Sequence, residues 1–313
     1  MKAAQINQYG GPEVIQVNET DKPEVKEGYV LIEVHAASLN PFDTTARSGQ
    51  AHARMPLHFP ATLGGDVAGV VTEISEGTTG IAVGDEVYGQ ASVFAGGTGS
   101  FAEFTATQPG VIAKKPETLH FNEAASLPLV GSSAIQALME HLKLQKGQTI
   151  LIHGGAGGIG SLAVQLAKHL GAHVIATAAT NDIEFVKGLG ADEVVDYQNE
   201  KFEDKVSDVD AVFDTVAGET YTRSFPILKK GGTIVSMLEQ PNQELMEKYG
   251  VTAIAQFTTI TTEKLNTLSK LVDSGVIKPQ VDKVFELNKV TEAFMYREHQ
   301  HPRGKVVIEV KGK

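Results

Sequence analysis

The chain has 313 residues, of which 42% are hydrophobic and 21% charged, with a formal net charge of −11 and no cysteine. At about 150 residues per domain, this length predicts two globular domains with ample cores. The missing cysteines exclude disulfides, thiolate metal sites and cysteine nucleophiles, and the negative charge disfavours nucleic acid and anionic membranes as partners. The basic residues are scattered, and Lys311 and Lys313 are too few to make a patch. Met1-Lys2-Ala3-Ala4-Gln5 lacks the apolar core of a signal peptide, and no apolar run approaches membrane-spanning length, so a cytoplasmic location is expected.

In chain order, residues 1 to about 120 read as short β segments separated by turns. Tyr29-Val30-Leu31-Ile32-Glu33-Val34 is rich in β-branched and aromatic residues, as strands are, and residues 67–74 are similar. Gly10-Gly11-Pro12, Gly64-Gly65 and Gly96-Gly97-Thr98-Gly99 punctuate these runs. This part predicts an antiparallel, barrel-like β domain. Residues 119–142 have helical propensity, interrupted by a loop at 128–133. From Gln148 onward strands alternate with helices: strands at 149–152, 173–177, 193–195, 211–213 and 233–235, and helices at 161–170 and 183–188. A parallel crossover needs that much chain, so the alternation predicts a doubly wound parallel sheet. Residues 263–272 predict a further helix, and 305–310 a strand that returns to the first domain. The domains then comprise residues 1–124 with 262–313, β-rich, and 125–261, α/β.

The strongest local signal is His153-Gly154-Gly155-Ala156-Gly157-Gly158-Ile159-Gly160, which holds the G-x-G-x-x-G spacing at Gly155, Gly157 and Gly160. It lies between a strand and an amphipathic helix on which Leu162, Leu166 and Leu170 share a face. In that setting the first glycine permits a tight turn, the second lets the backbone approach a pyrophosphate, and the third lets helix and strand pack closely. The helix N-terminus offers N–H groups to the phosphates.

An NAD site carries an acid at the end of the second strand. Here that strand ends Thr177-Ala178-Ala179-Thr180 without one, which leaves room for the 2′-phosphate of NADPH. Thr177 belongs to the cofactor-binding set, Thr180 and Tyr197 can donate hydroxyl hydrogen bonds, and Lys187 is a further charge partner. The competing NAD reading gives the acid's role to Asp182, which otherwise reads as the N-cap of the next helix.

Asn40-Pro41-Phe42-Asp43, Leu63-Gly64-Gly65-Asp66-Val67-Ala68-Gly69, Val83-Gly84-Asp85-Glu86-Val87-Tyr88, the glycine loop, Leu189-Gly190-Ala191-Asp192, Gly231-Gly232-Thr233 and Arg303-Gly304-Lys305-Val306-Val307 follow one another in that order. With these motifs the chain resembles the medium-chain dehydrogenase/reductase superfamily over nearly its whole length. Within it the chain is similar to the zinc-independent quinone oxidoreductase branch, which includes zeta-crystallin and the enone reductases. The resemblance implies a GroES-like catalytic domain formed by both chain ends, a Rossmann domain between them, a cofactor cleft at their junction, and a homodimer or homotetramer. Zinc-dependent relatives carry cysteine where Asn40 stands and Gly-His-Glu where Gly64-Gly65-Asp66 stands, so no metal is expected here. Of the ten histidines, only His299-x-His301 are closely spaced, as on a surface turn.

The resemblance further implies catalytic roles for Asn40, Asp43 and Asp66, with cofactor contacts from Asn40, Ser133, Val216, Ala217, Ser236, Met237, Leu238 and Lys305. A conjugated carbonyl is already electrophilic, so hydride transfer needs no Lewis acid, although donors near the developing oxyanion help. The expected activity is NADPH-dependent reduction of a quinone or enone. The alternatives are a reductase of other activated alkenes or aldehydes, and a non-catalytic NADPH-binding protein of crystallin type. Relatives with tyrosines after the Asn-Pro motif differ from this chain, which has Thr44, Thr45 and His52.

Overall fold

A computed structural model describes residues 1–312, and Lys313 lies outside them. The chain divides into two compact units: Met1–Leu129 with Ile260–Asp273 and the residues from Pro279 on, and Val130–Thr259 with Ser274–Lys278.

The first unit begins with β1 (Lys2–Ile6), β2 (Gln16–Glu19), β3 (Val30–Ser38), α1 (Pro41–Ser48), β4 (Ala61–Thr62), β5 (Asp66–Ile74), β6 (Glu86–Gln90), β7 (Phe104–Thr107), β8 (Ile112–Lys114) and α2 (Phe121–Ala125). Strand β1 joins β2 and β4 in a small sheet, while β3, β5, β6 and β8 run antiparallel in a larger one. Val30, Ile32, Val34, Val67, Val71, Val87 and Ile112 are withdrawn from water in one cluster. Alternate residues of β3 thus feed the core, the period-2 signature of a strand.

Helix α3 (Pro128–Ile135) continues into a π-helical turn at Gln136–His141, followed by β9 (Thr149–Ile152), α4 (Gly158–His169), β10 (His173–Ala178), α5 (Ile183–Gly188), β11 (Glu193–Asp196), β12 (Val209–Asp214), α6 (Glu219–Arg223), β13 (Leu228–Ser236), α7 (Gln243–Tyr249) and β14 (Thr252–Ala255). The six strands β9–β14 are parallel, in the order β11-β10-β9-β12-β13-β14. This is the doubly wound Rossmann order, whose reversal between β9 and β12 marks the ligand crevice. The chain ends with α8 (Thr262–Asp273), β15 (Val281–Glu286), α9 (Val290–His299) and β16 (Lys305–Glu309). Strand β16 pairs parallel with β15 and antiparallel with β3, so the returning strand has a partner on each side.

Two expectations need correction. The interruption at 128–133 is helical, because Pro128 occupies the first helical position, where its missing N–H costs nothing. The helix after the glycine loop starts at Gly158 rather than 161, so Gly158, Ile159 and Gly160 form its first turn. Among the described residues no helix is long and apolar enough to cross a membrane.

Candidate active site

In the first unit, strand register gathers a buried polar cluster. Ser38 stands opposite Asp66 in the β3–β5 ladder and opposite Val307 in the β3–β16 ladder, which brings the start of β16 to the end of β3. Just beyond β3, Asn40 occupies the N-cap position of α1, and its backbone N–H donates to Asp43 Oδ2 at 2.7 Å. Asp66 Oδ2 accepts from Ser38 Oγ at 3.0 Å, Asn40 Nδ2 at 2.8 Å and Lys305 Nζ at 3.3 Å, and Asp66 Oδ1 accepts from the Leu129 N–H at 3.0 Å. Lys305 Nζ also donates to Asn40 Oδ1. Burial pushes the Asp43 carboxyl up to about 7, against the opposing pull of the Asn40 N–H and Lys305. Burial likewise pushes the Lys305 ammonium below its ordinary value, and Asp66 and Asp43 resist that shift.

The second unit holds the glycine loop. Gly154 takes the left-handed conformation, with φ +75, so it and not Gly155 makes the tight turn. Gly155 is required for packing: a Cβ there would lie 3.0 Å from Ala176 Cβ and Val186 Cγ1. At Gly160 a Cβ would lie 2.1 Å from the Gly154 carbonyl oxygen, which enforces the close approach of α4 to the loop. Gly157 differs, since a Cβ there would meet only the Gly154 oxygen, at 3.4 Å. Ala156, Gly157, Gly158 and Ile159 are half-buried, at the end of α4 where the first-turn N–H groups lack helical acceptors.

His153, fully buried behind the loop, braces it. Ser224 Oγ donates to the Thr220 carbonyl and so accepts from His153 Nε2 at 2.9 Å. With the ring proton on Nε2, Nδ1 of the neutral ring accepts from Thr177 Oγ1 at 3.3 Å, and Thr177 Oγ1 in turn accepts the Gly154 N–H. These partners select the neutral Nε2–H tautomer, and burial pushes the imidazole down to about 4. Thr177 is buried, and its hydroxyl holds the loop from behind.

At the ends of β10 and β11 the Thr180 hydroxyl donates to Asp196 Oδ2 at 2.6 Å, and Asn199 and the Gln198 N–H also donate to that carboxylate. Thr180 therefore has no hydroxyl hydrogen left for a phosphate, contrary to its expected donor role, whereas the Tyr197 side chain is exposed. Asp182 occupies the N-cap position of α5 without a side-chain capping bond. At the ends of β12 and β13, Asp214 accepts from the Val216 and Ala217 N–H groups and from Ser236 Oγ, which in turn accepts from the Leu238 and Glu239 N–H groups. Ala217 is left-handed, with φ +73. The Met237 N–H donates to the Asp214 carbonyl. Ser133 Oγ lies 2.7 Å from Thr258 Oγ1, and the Ser133 carbonyl accepts from Gln256 Nε2 at 3.0 Å.

Residues 26–117 match the alcohol dehydrogenase GroES-like domain and residues 189–308 a zinc-binding dehydrogenase family. A 2-methylene-furan-3-one reductase of Solanum lycopersicum is 38% identical over 98% of this chain and 79% of its own length. The chain belongs to the quinone and enone oxidoreductases of the medium-chain dehydrogenase/reductase superfamily. An Arabidopsis thaliana NADPH-dependent alkenal/one oxidoreductase, chloroplastic, is 37% identical over 98% of this oxidoreductase and 79% of the relative. The solved quinone oxidoreductase from Coxiella burnetii superposes with a TM-score of 0.91 at 35% identity, covering 99% of each chain.

Two features of this oxidoreductase fit a dinucleotide. The space beside Gly157 is one that no protein atom requires, at a helix N-terminus suited to phosphate. Gln256 Oε1, buried beside Ser133 and Met237, has no hydrogen-bond partner among the described residues and suits a carboxamide N–H. Among the described residues no three His, Asp or Glu side chains group as metal ligands. Ser38, His153, Asp196 and Gln256 are not among the site residues expected from the sequence. His153 adjoins the glycine loop, but the others follow no local pattern.

Proposed function

We propose that this oxidoreductase binds NADPH and reduces the conjugated double bond of an enone, or a quinone, without a metal. The open cradle at Gly157 carries the reading, because it leaves room for a pyrophosphate where packing alone does not require a glycine. Residues 125–261 serve as the dinucleotide-binding part, and 1–124 with 262–313 as the part that takes the acceptor. Gly155, Ala156, Gly157, Gly158, Ile159 and Gly160 hold the pyrophosphate. Tyr197 stands near the 2′-phosphate, and Ser133, Val216, Ala217, Ser236, Met237, Leu238 and Gln256 line the nicotinamide end. Bound NADPH supplies the hydride. Asn40 donates a hydrogen bond to the oxygen on which charge collects, and Asp43, whose carboxyl titrates near neutrality, holds or releases a proton at its carboxyl oxygens. Asp66 anchors both strands of the cluster.

The protein acts as a cytoplasmic homodimer or homotetramer, for which the outer edge of β14, unpaired among the described residues, offers a place for a second copy. Thermal denaturation with each dinucleotide tests the cofactor. NADPH at about a hundred times its Kd adds about 2.7 kcal/mol to stability, and NADH at the same concentration adds much less. Equal shifts would remove the 2′-phosphate reading, and no shift with either would remove the redox reading. NADPH oxidation with enones, enals and quinones is expected to be fastest with the enones. No turnover with any of them would leave a binding protein.

A further inference from the structure

Lys305 and Asp66 form an ion pair almost fully withdrawn from water, with side chains 6% and 1% exposed. Such a pair is a weak stabilising device, because the desolvation of two charges rivals their attraction. Asp66 does not need the ammonium to be satisfied, since it already accepts from Ser38, Asn40 and the Leu129 N–H. What the ammonium adds is the bond to Asn40 Oδ1.

The two side-chain bonds of Asn40 fix which way its amide lies. An ammonium has no acceptor, so the amide oxygen must face Lys305. An ionised carboxylate has no donor, so the amide nitrogen must face Asp66. Asn40 is thus held between a cation on its oxygen and an anion on one of its Nδ2 hydrogens. A cation on the oxygen draws electron density from the nitrogen and strengthens the remaining N–H as a donor. It also makes the remaining oxygen lone pair a poor acceptor. Without the ammonium the amide can turn over, and the group presented becomes an acceptor that repels a developing oxyanion.

We propose that Lys305 is a positioning residue that fixes Asn40 as a polarised N–H donor for a carbonyl oxygen of the acceptor, and that Lys305 itself touches neither acceptor nor dinucleotide. This rests on the reading above, in which Asn40 meets the acceptor. It narrows the substrate to compounds whose reducible bond is conjugated to a carbonyl, because the donor acts only where an oxygen gathers the charge.

Lys305→Met and Lys305→Gln separate this role from a structural one. Both remove the charge and the ion pair, but the glutamine amide can still donate to Asn40 Oδ1. The two variants are expected to lose similar thermal stability. With an enone, kcat is expected to fall about 10- to 100-fold in Lys305→Met, as when an oxyanion donor is weakened, and to recover to within several-fold of wild type in Lys305→Gln. The thermal shift with NADPH should remain in both. The double variant Lys305→Met/Asp66→Asn removes both members of the ion pair, so neither is left buried without the other. It is expected to fold even where the single variant does not, and to keep the low kcat. Equal losses of kcat in the Met and Gln variants, full kcat in the double variant, or weakened NADPH binding with kcat intact would each overturn the proposal. The side-chain ¹⁵N resonance of Asn40, assigned by its absence in Asn40→Asp, gives a readout that needs no turnover. It should move in Lys305→Met and move less in Lys305→Gln, which keeps a donor on the amide oxygen but not the charge, and an unmoved resonance in Lys305→Met would overturn the proposal. If that resonance moves while wild-type protein reduces no acceptor, the function reading fails and the hold of Lys305 on Asn40 stands.

Discussion

In the first turn of α1, burial sets Asp43 apart from ordinary carboxylates. The unfolded chain ionises this group near 3.8 and the folded chain at about 7. Between those values the unfolded chain has released a proton that the folded chain keeps, so rising pH favours unfolding. Stability associated with the protonated carboxyl is present below about pH 4 and lost as pH climbs through about 7. Lys305 and Arg297 favour the ionised form and Asp66 opposes it, but burial outweighs them. Asp43→Asn keeps an oxygen for the Asn40 N–H and removes the titration. Its stability relative to wild type should rise by more than about 1 kcal/mol from pH 5 to pH 8, since one pKa unit corresponds to about 1.4 kcal/mol. Calorimetric melts at the two pH values check this, and a gap that does not change with pH would mean the carboxyl ionises as it does in water. Asn40, Asp43 and Asp66 stand out in the sequence through short motifs, and the structure brings them into one network. Lys305 is 265 residues from Asn40, and Ser38 has no motif at all. Only the pairing of β16 and β5 with β3 brings these groups together, and a one-dimensional pattern does not contain that register.

At the scale of the element, the glycine loop and α4 separate packing from binding. Gly160→Ala places a methyl 2.1 Å from the Gly154 carbonyl, and backbone on both sides cannot yield cheaply. It should cost about 1–3 kcal/mol or more, as overpacking does. Gly157 has φ −74 and ψ 175, which any residue adopts, and a side chain there would make only an ordinary contact with the Gly154 oxygen. Gly157→Ala should change stability by less than about 1 kcal/mol, the scale of an N-cap substitution, yet weaken NADPH about tenfold or more. Thermal melts with and without NADPH measure both effects, and a Gly157→Ala protein that binds NADPH normally would remove the cradle from the argument. The loop and the strands beside it were legible because strand, turn and helix N-terminus each leave a local chemical trace. Strand β15 was not, since most of Val281–Glu286 is exposed and shows no buried face. Nor was α9, where only Val290, Ala293 and Phe294 are buried and the apolar stripe is short. Helix α7 has no buried residue, so its sequence carries no core-facing signal.

For the whole molecule, the order of segments along the chain matters more than any single contact. The first unit is assembled from three stretches of sequence, with most of the second unit inserted between the first two. Its large sheet therefore depends on the last residues of the chain. Strand β7 covers residues 30–33 of β3, and β16 covers residues 36–38 on the same edge. Val306, Val307 and Ile308 of β16 are no more than 1% exposed. Burying three such side chains contributes about 1.5–3 kcal/mol each, comparable in sum with the 5–15 kcal/mol that separates a typical folded domain from its unfolded state. A chain ending at Arg303 lacks that strand and leaves residues 36–38 of β3 unpaired on that edge. The sheet of the second unit is built from strands lying between Thr149 and Ala255, so it loses no partner. Limited proteolysis of the truncated protein should therefore cut throughout residues 1–129 while a fragment spanning about 130–259 survives, and NADPH should protect that fragment further. Full resistance in the truncated protein would mean that β16 is a surface addition, and rapid loss of both parts would mean that the second unit takes its stability from the first.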